Sequence, residues 1–297
     1  MKNSDGVLMP HEIRERHSET VAKWLGAVIA VLLCAFLLAL ALSGILRYSL
    51  SDGAVFASAS KLDPEGIFVT GDAGKVSLSV FLTSSLASAG RDAGITAADA
   101  KRMIYESSFR EKLAALVVDA KNAAESGNGM IRGLSFIADW MEENPDTVAD
   151  ICGVELTDGE ISNIREELSY DAVDFGEDAI LSDDGTLRVL LSNGFFFAAA
   201  ALSAAALPAL LVAGNFKAKF FLSRTGIALL VSGIALSGLL LFALIKSTGA
   251  GIVVSAVTSG AARITIYAAG GAVLAGIVFV LTAGLISRRQ SRDEEND

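Results

Sequence analysis

Residues 24–46 read WLGAVIAVLLCAFLLALALSGIL, an uncharged run held between Lys23 and Arg47. A helix crosses the hydrocarbon core of a bilayer with about 20 predominantly apolar residues, and this run supplies them. Three more such runs follow, Val189–Phe216, Thr225–Ile245 and Ile264–Ser287, and none contains Asp, Glu, Lys, Arg or His. Short connections join the last three. A polar segment, Arg47–Arg188, large enough to be a domain, separates the first two. The expected fold class is an all-α membrane protein: four transmembrane helices plus a mainly α-helical extracytoplasmic domain.

Basic residues assign the sides. Lys2, Arg14, Arg16 and Lys23 precede the first run, Lys217, Lys219 and Arg224 lie between the second and third, and Arg288, Arg289 and Arg292 follow the last. Short segments rich in Lys and Arg stay in the cytoplasm, and long loops translocate largely regardless of charge. The expected threading in a cell membrane is a cytoplasmic tail at 1–23, spans at 24–46, 189–216, 225–245 and 264–287, and a second cytoplasmic tail at 288–297. Residues 47–188 form the extracytoplasmic domain, 217–224 a cytoplasmic loop and 246–263 an outer loop.

The formal net charge is −10, and nearly all the acid excess lies in 47–188. An acidic outer domain argues against nucleic acid and anionic headgroups as its partners. Such a surface permits cation binding, although a plain solvated acidic surface explains it equally. The first run is longer than a signal-peptide core and follows a tail of mixed charge, so it reads as an uncleaved anchor despite the small-x-small form of Ala39-Leu40-Ala41. Cys34 follows Val31-Leu32-Leu33, without the small residue that lipoprotein processing wants, and reads as a small side chain facing lipid or another helix.

Cys34 and Cys152 lie in different compartments and cannot pair. Cys152 is therefore an odd thiol, a candidate for bridging two copies. The alternative is a buried free thiol within Ile151-Cys152-Gly153-Val154. No disulfide framework supports the outer domain, so its core must, and a soluble Ser49–Asp184 is expected to fold alone.

Within that domain, Thr96 and Asp99 form a helix start. Met103, Ile104, Phe109, Leu113, Leu116 and Val117 then recur at helical spacing to Glu125, with a break near Ser107-Ser108. Gly127-Asn128-Gly129 ends the element. A helix over Met130–Glu143 is expected, stopped by Pro145, with one further turn at Asp146–Ile151. Thr157-Asp158-Gly159-Glu160 is a capping box for another, and Ser182 or Asp183 is a cap for the second span. Tyr48–Gly90 is ambiguous. Lys75–Phe81 alternates like a strand, yet no partner strand with a turn signal follows it, which favours a helix from about Lys75.

The spans lack the ionisable groups that mark proton relays and ion pathways. Their polar content is Ser, Thr and Asn, and Pro208 is expected to kink the second. Small residues recur at four-residue spacing, Gly233 with Ser237, Gly271 with Ala275 and Ala272 with Gly276, which lets helices pack closely. The connection Ser247–Ala262 reads as a plain loop rich in Gly, Ser and Ala.

Catalytic patterns are incomplete. Ser58-Ala59-Ser60-Lys61 matches S-x-x-K, and Lys246-Ser247-Thr248-Gly249 faintly echoes K-T-G, but two spans separate them. Gly71-Asp72-Ala73-Gly74-Lys75 lacks the first glycine and the Ser/Thr of a P-loop. His11-Glu12 and His17 lack metalloprotease spacing, and Asp183-Asp184-Gly185 lacks the upstream ligands of a calcium loop. No catalytic, cofactor or metal residue is assigned.

The stretches from Gly94-Ile95-Thr96 through Glu106-Ser107-Ser108-Phe109 to Glu125, Trp140–Asn144 and Gly153–Glu160 resemble four-pass membrane proteins of Gram-positive bacteria. Those proteins also place one helical outer domain between the first two spans. The resemblance covers topology and about half the outer domain, and it implies no activity. The leading reading is a non-catalytic membrane protein whose outer domain binds, senses or scaffolds at the cell envelope. Its partners would be the bilayer and an envelope protein or a second copy. The alternative is a permease-like subunit of an envelope ABC system, because the four-pass order is similar to the cell-division permease-like family. That family couples to its ATPase through cytoplasmic segments, and Lys217–Arg224 offers little surface. An envelope enzyme is third.

Overall fold

A computed structural model describes residues 10–71, 74–126, 131–174, 189–246 and 252–296. The chain is an all-α membrane protein with four helices long and apolar enough to cross a bilayer: Thr20–Ser49, Asn193–Ala213, Ala218–Ile245 and Ile252–Gln290. They belong to helices α1 (Pro10–Ser49), α9 (Asn193–Ala213), α10 (Ala218–Lys246) and α11 (Ile252–Asn296). At 1.5 Å per residue α11 is about 68 Å long, roughly twice the ~30 Å hydrocarbon core. Much of it therefore lies outside the lipid. Two compact units result, one of Met1–Ile45, Leu190–Leu240 and Ile264–Asp297, the other of Leu46–Val189 and Leu241–Arg263.

In the first unit Leu33, Leu210, Ala30, Ala206 and Ala228 pack together from α1, α9 and α10. Ser192 caps α9 by accepting from the Phe195 N–H at 3.1 Å. Ser43 Oγ donates to the Leu190 carbonyl at 2.6 Å, tying α1 to the entry of α9. The turn into α10 holds Asn215 and Phe216 in left-handed backbone, at φ 50° and 57°. It is followed by Phe220, whose ring occupies the space left by the missing side chains of Gly26 and Gly214.

The polar domain is mainly helical. Its helices are α2 (Asp52–Ala59), α3 (Leu78–Ala89), α4 (Ala97–Tyr105), α5 (Ser107–Glu125), α6 (Phe136–Glu143), α7 (Pro145–Cys152) and α8 (Asp158–Tyr170). The break at Ser107-Ser108 separates α4 from α5, and both expected capping boxes form, Thr96 with Asp99 and Thr157 with Glu160. Phe109 lies 5.4 Å from Trp140, edge to face, and 6.1 Å from Phe136. Trp140 satisfies its indole N–H on Ser108 Oγ at 3.0 Å. That is the arrangement a buried indole needs.

Two local expectations are corrected. Gly74–Ser77 is strand β2, paired antiparallel with β1 (Phe68–Gly71) in the register Val69↔Val76, and the helix starts only at Leu78. The partner strand precedes Lys75 rather than following it, and Ser77 caps the helix through the Val80 N–H. Ile131–Gly133 is strand β3, not helix, and pairs with β4 (Ala172–Asp174). Its partner lies beyond three helices, and the Leu134 N–H then bonds the Leu168 and Asp171 carbonyls. The expected caps Ser182 and Asp183 and the Gly127–Gly129 stop lie outside the described residues.

The third correction concerns the connection read as a plain loop. From Ile252 it is helical, the first turns of α11. Ile252, Val253 and Ala256 are 2%, 1% and 0% exposed and belong to the same core as Leu82, Met103, Phe109 and Trp140. One turn further, Gly260 brings the α11 backbone against α2: a Cβ there would stand 3.0 Å from Ser58 Oγ. The domain core is thus completed by residues far outside 47–188.

Burying Ile252 and Val253 stabilises the domain by about 1.5–3 kcal/mol each, a large part of the 5–15 kcal/mol typical of a whole domain. A soluble Ser49–Asp184 is therefore expected to be helical by circular dichroism but to melt broadly. The same segment with residues 252–263 joined through a flexible linker should melt cooperatively at a higher temperature. Identical melting of the two proteins would contradict this assignment of the core.

Candidate functional site

A buried cation joins the domain to the end of the first spanning helix. Lys121 on α5, 3% exposed, donates from Nζ to the Leu50 carbonyl at 3.0 Å and to Asp52 Oδ1 at 2.6 Å, with Glu125 Oε1 at 3.4 Å. Leu50 O is one of the carbonyls orphaned where α1 ends, and a cation at a helix C-terminus is favourable. Lys121 lies outside the apolar recurrence of Phe109, Leu113, Leu116 and Val117 that marks α5 in the sequence. The i,i+4 acid Glu125 was its only local signal.

The small-residue candidates separate into two groups. Gly233 and Gly276 sit at close contacts of α10 with α11. A Cβ on Gly233 would lie 2.9 Å from the Ala269 carbonyl, and one on Gly276 would lie 2.8 Å from the Gly226 carbonyl. The contact therefore uses Gly226 and Gly233 against Ala269 and Gly276, a spacing of seven rather than four. Gly271 faces open space. Ala272 and Ala275 are half-buried, and Ser237 returns its hydroxyl to the Gly233 carbonyl at 3.0 Å. Ser232 Oγ bonds the Ala228 carbonyl of its own helix at 2.8 Å and lies 3.2 Å from both the carbonyl and the Sγ of Cys34, so Cys34 contacts a neighbouring helix.

Cys152 is half-buried at the end of α7. Burial, then the Asp99 carboxylate, push its thiol pKa up, and the Arg102 guanidinium opposes them. Less thiolate at neutral pH makes it a poor nucleophile for bridging two copies. Gly153 ends α7 in left-handed backbone, φ 72°, which glycine adopts without a Cβ penalty. Arg102 Nη1 donates to the Ile151 carbonyl of the same helix end at 3.0 Å.

Helices α6, α7 and α8 enclose an open cleft of about 250 Å³. Met141, Val148, Leu156 and Ile161 supply apolar walls, and Asp146 and Glu155 the carboxylates. Ion pairs tie the flanking helices. Arg165 on α8 reaches Asp139 at 3.1 Å and Glu142 at 2.8 Å, and Lys112 on α5 reaches Glu143 at 2.6 Å.

Ser58 is buried against α11 and Lys61 is exposed. The side chains of His11, Glu12 and His17 and residues 72–73, 183–185 and 247–251 lie outside what is described. Among the described residues no group of three or more His, Cys, Asp or Glu is placed to hold a metal. Comparison with protein-family models, with curated proteins and with solved structures finds no match.

Two expectations follow from this geometry. Gly226→Ala sets a methyl against backbone on α11 and should cost about 1–3 kcal/mol. Gly271→Ala, facing open space, should stay within about 0.5 kcal/mol. Thermal denaturation of the full chain in detergent separates the two, and equal losses would refute the contact.

The second expectation concerns pH. Asp99 and Glu160 are held below their ordinary pKa by the Thr96 and Thr157 capping bonds, and Glu142 by Arg165. A depressed carboxyl contributes stability above its unfolded pKa and loses it as pH falls through its folded value. Thermal midpoints should be flat from neutral pH to about 5 and fall below about 4. In Glu160→Gln that acid-dependent fall should be smaller.

Proposed function

We propose that this chain is a non-catalytic integral membrane protein whose domain between the first two spans binds or senses a partner at the cell envelope. In this reading the termini are cytoplasmic and residues 47–188 face outward. The basic segments around Lys23, Lys217–Arg224 and Arg288–Arg292 support that orientation. The observation that carries the functional reading is the uninterrupted helix α11. Its residues up to Arg263 belong to the domain, where Ile252, Val253 and Ala256 lie in the core, and its residues from Ile264 belong to the span unit. A domain with a complete core of its own, to which the first turns of α11 contribute, is suited to presenting a fixed helical surface to a partner.

The test combines topology and capture. In a background with Cys34 and Cys152 replaced by Ala, a cysteine at Ser126 should react with an impermeant reagent in intact cells, and one at Ser223 should not. Affinity capture from mild detergent should then lose its partner when exposed residues of α4 and α5, such as Lys101, Glu111 and Asp119, are replaced. Replacing Ser232 or Ser237 should matter less. Labelling at Ser223 from outside, the opposite ranking, or co-purification of an ATPase subunit would overturn the proposal.

A further inference from the structure

Phe220 stands where three helices of the span unit meet. Its ring fills the space that Gly26 of α1 and Gly214 at the end of α9 leave open. Arg224, one turn further along α10, places its guanidinium 5.4 Å from the centroid of that ring. Lys23 precedes Gly26 by three residues, which puts it on the same face of α1. Lys217 precedes Phe220 by three, and its carbonyl accepts the Phe220 N–H at 3.0 Å. Lys23 and Lys217 are exposed and Arg224 is half-buried. Three cations, from α1, from the turn after α9 and from α10, therefore converge about one aromatic ring. The chain has no Asp or Glu from Thr20 to Ser51 or from Gly185 to Arg292. The three cations form no ion pair among the described residues.

Basic residues beside a span ordinarily serve to fix its orientation, but that needs only charge at the right end. It does not need the charges drawn from separate helices to one ring, or a guanidinium held on an aromatic face. Position identifies what meets them. Lys23, Lys217 and Arg224 directly border the uncharged runs 24–46, 189–216 and 225–245, which is the depth of the phospholipid headgroups. At the same depth Thr225 is 5% exposed, and its hydroxyl has no partner among the described residues, whereas buried polar groups are ordinarily paired. Basic pockets between spanning helices take anionic headgroups, and a guanidinium fork matches a phosphate. We propose that Lys23, Lys217 and Arg224 hold the headgroup phosphate of an anionic phospholipid, with Phe220 as the positioning residue for Arg224. The inference concerns the span unit alone and stands or falls apart from the role of the outer domain.

The full chain in non-ionic detergent is titrated with phosphatidylglycerol and, separately, with phosphatidylcholine of the same acyl chains, and bound lipid is counted by native mass spectrometry. Phosphatidylglycerol should bind saturably, at least about tenfold more tightly than phosphatidylcholine, and more weakly as salt rises. Each cation removed should lower the affinity about fivefold, so Lys23→Gln/Lys217→Gln should bind about twentyfold more weakly. Both residues are exposed, so this pair tests the site even where Arg224→Gln fails to fold. Arg288→Gln/Arg289→Gln removes two charges that border the fourth uncharged run and should lose less than about threefold. Equal losses in the two double variants would show that the net charge of the bundle end, and not this site, attracts the lipid, and would overturn the proposal. Phosphatidylcholine bound as tightly as phosphatidylglycerol would overturn it too. So would displacement of the lipid by inorganic phosphate, which would assign the three cations to a soluble anion.

Discussion

The burial of Ile252, Val253 and Ala256 in the domain core is the constraint on which the other features turn. These side chains are contributed by the helix that also forms the fourth span. Their loss would open a hole in the core they share with Leu82, Met103 and Phe109, and a vacated core site is destabilising because its lining relaxes only partly. The same contact explains Gly260, whose missing side chain lets α11 approach α2. It also explains why the Ser- and Ala-containing stretch from Ile252 is helical rather than loop. Small residues are what a helix needs to lie close against another, and they are equally what a loop contains.

At the other end of α2, Lys121 does by charge what Ile252 does by packing. Its ammonium satisfies the end of α1 and the side chain of Asp52. Removing it would leave the Leu50 carbonyl without its partner, a cost of about 1–3 kcal/mol when the group stays buried. Asp52 is 63% exposed and would be rehydrated, so the full penalty of an orphaned buried ion pair does not apply. Within the domain, the segment that follows α1 is therefore held by a buried hydrogen bond and the first turns of α11 by apolar packing. Surface pairs such as Lys101 with Glu65 add little, because water screens both charges.

Within the span unit, packing is set by atoms that are absent. Gly226, Gly233 and Gly276 bring the backbones of α10 and α11 together, and Gly26 and Gly214 make room for Phe220. Lipid tails are as apolar as Leu, so helix association in a bilayer depends on close fit rather than on expulsion of water. The rows of exposed Leu, Ile, Val and Phe on these helices need no protein partner in that solvent.

The four spans, the two capping boxes and the break between α4 and α5 were legible in the sequence. Each depends on residues within a few positions of one another: an uncharged run, a Thr with an acid three residues on, a polar interruption of an apolar stripe. The two ribbons were not legible. A strand is defined by its partner, and β3 finds β4 only after three helices have intervened. The apolar recurrence at 252, 253, 256 and 260 was present, but it read as loop because its partner surface lies some 130 to 200 positions earlier. Spacing of four pointed to Gly233 and Gly276 without their true opposites, because the opposing backbone is chosen by helix crossing. Local composition therefore determined that this is a four-span membrane protein with a helical polar domain. Only the tertiary structure decided that Ile252, Val253 and Ala256, ahead of the fourth span, belong to that domain's core. Burial and pairing are properties of surfaces brought together across long chain separations, and no short window of sequence contains both sides.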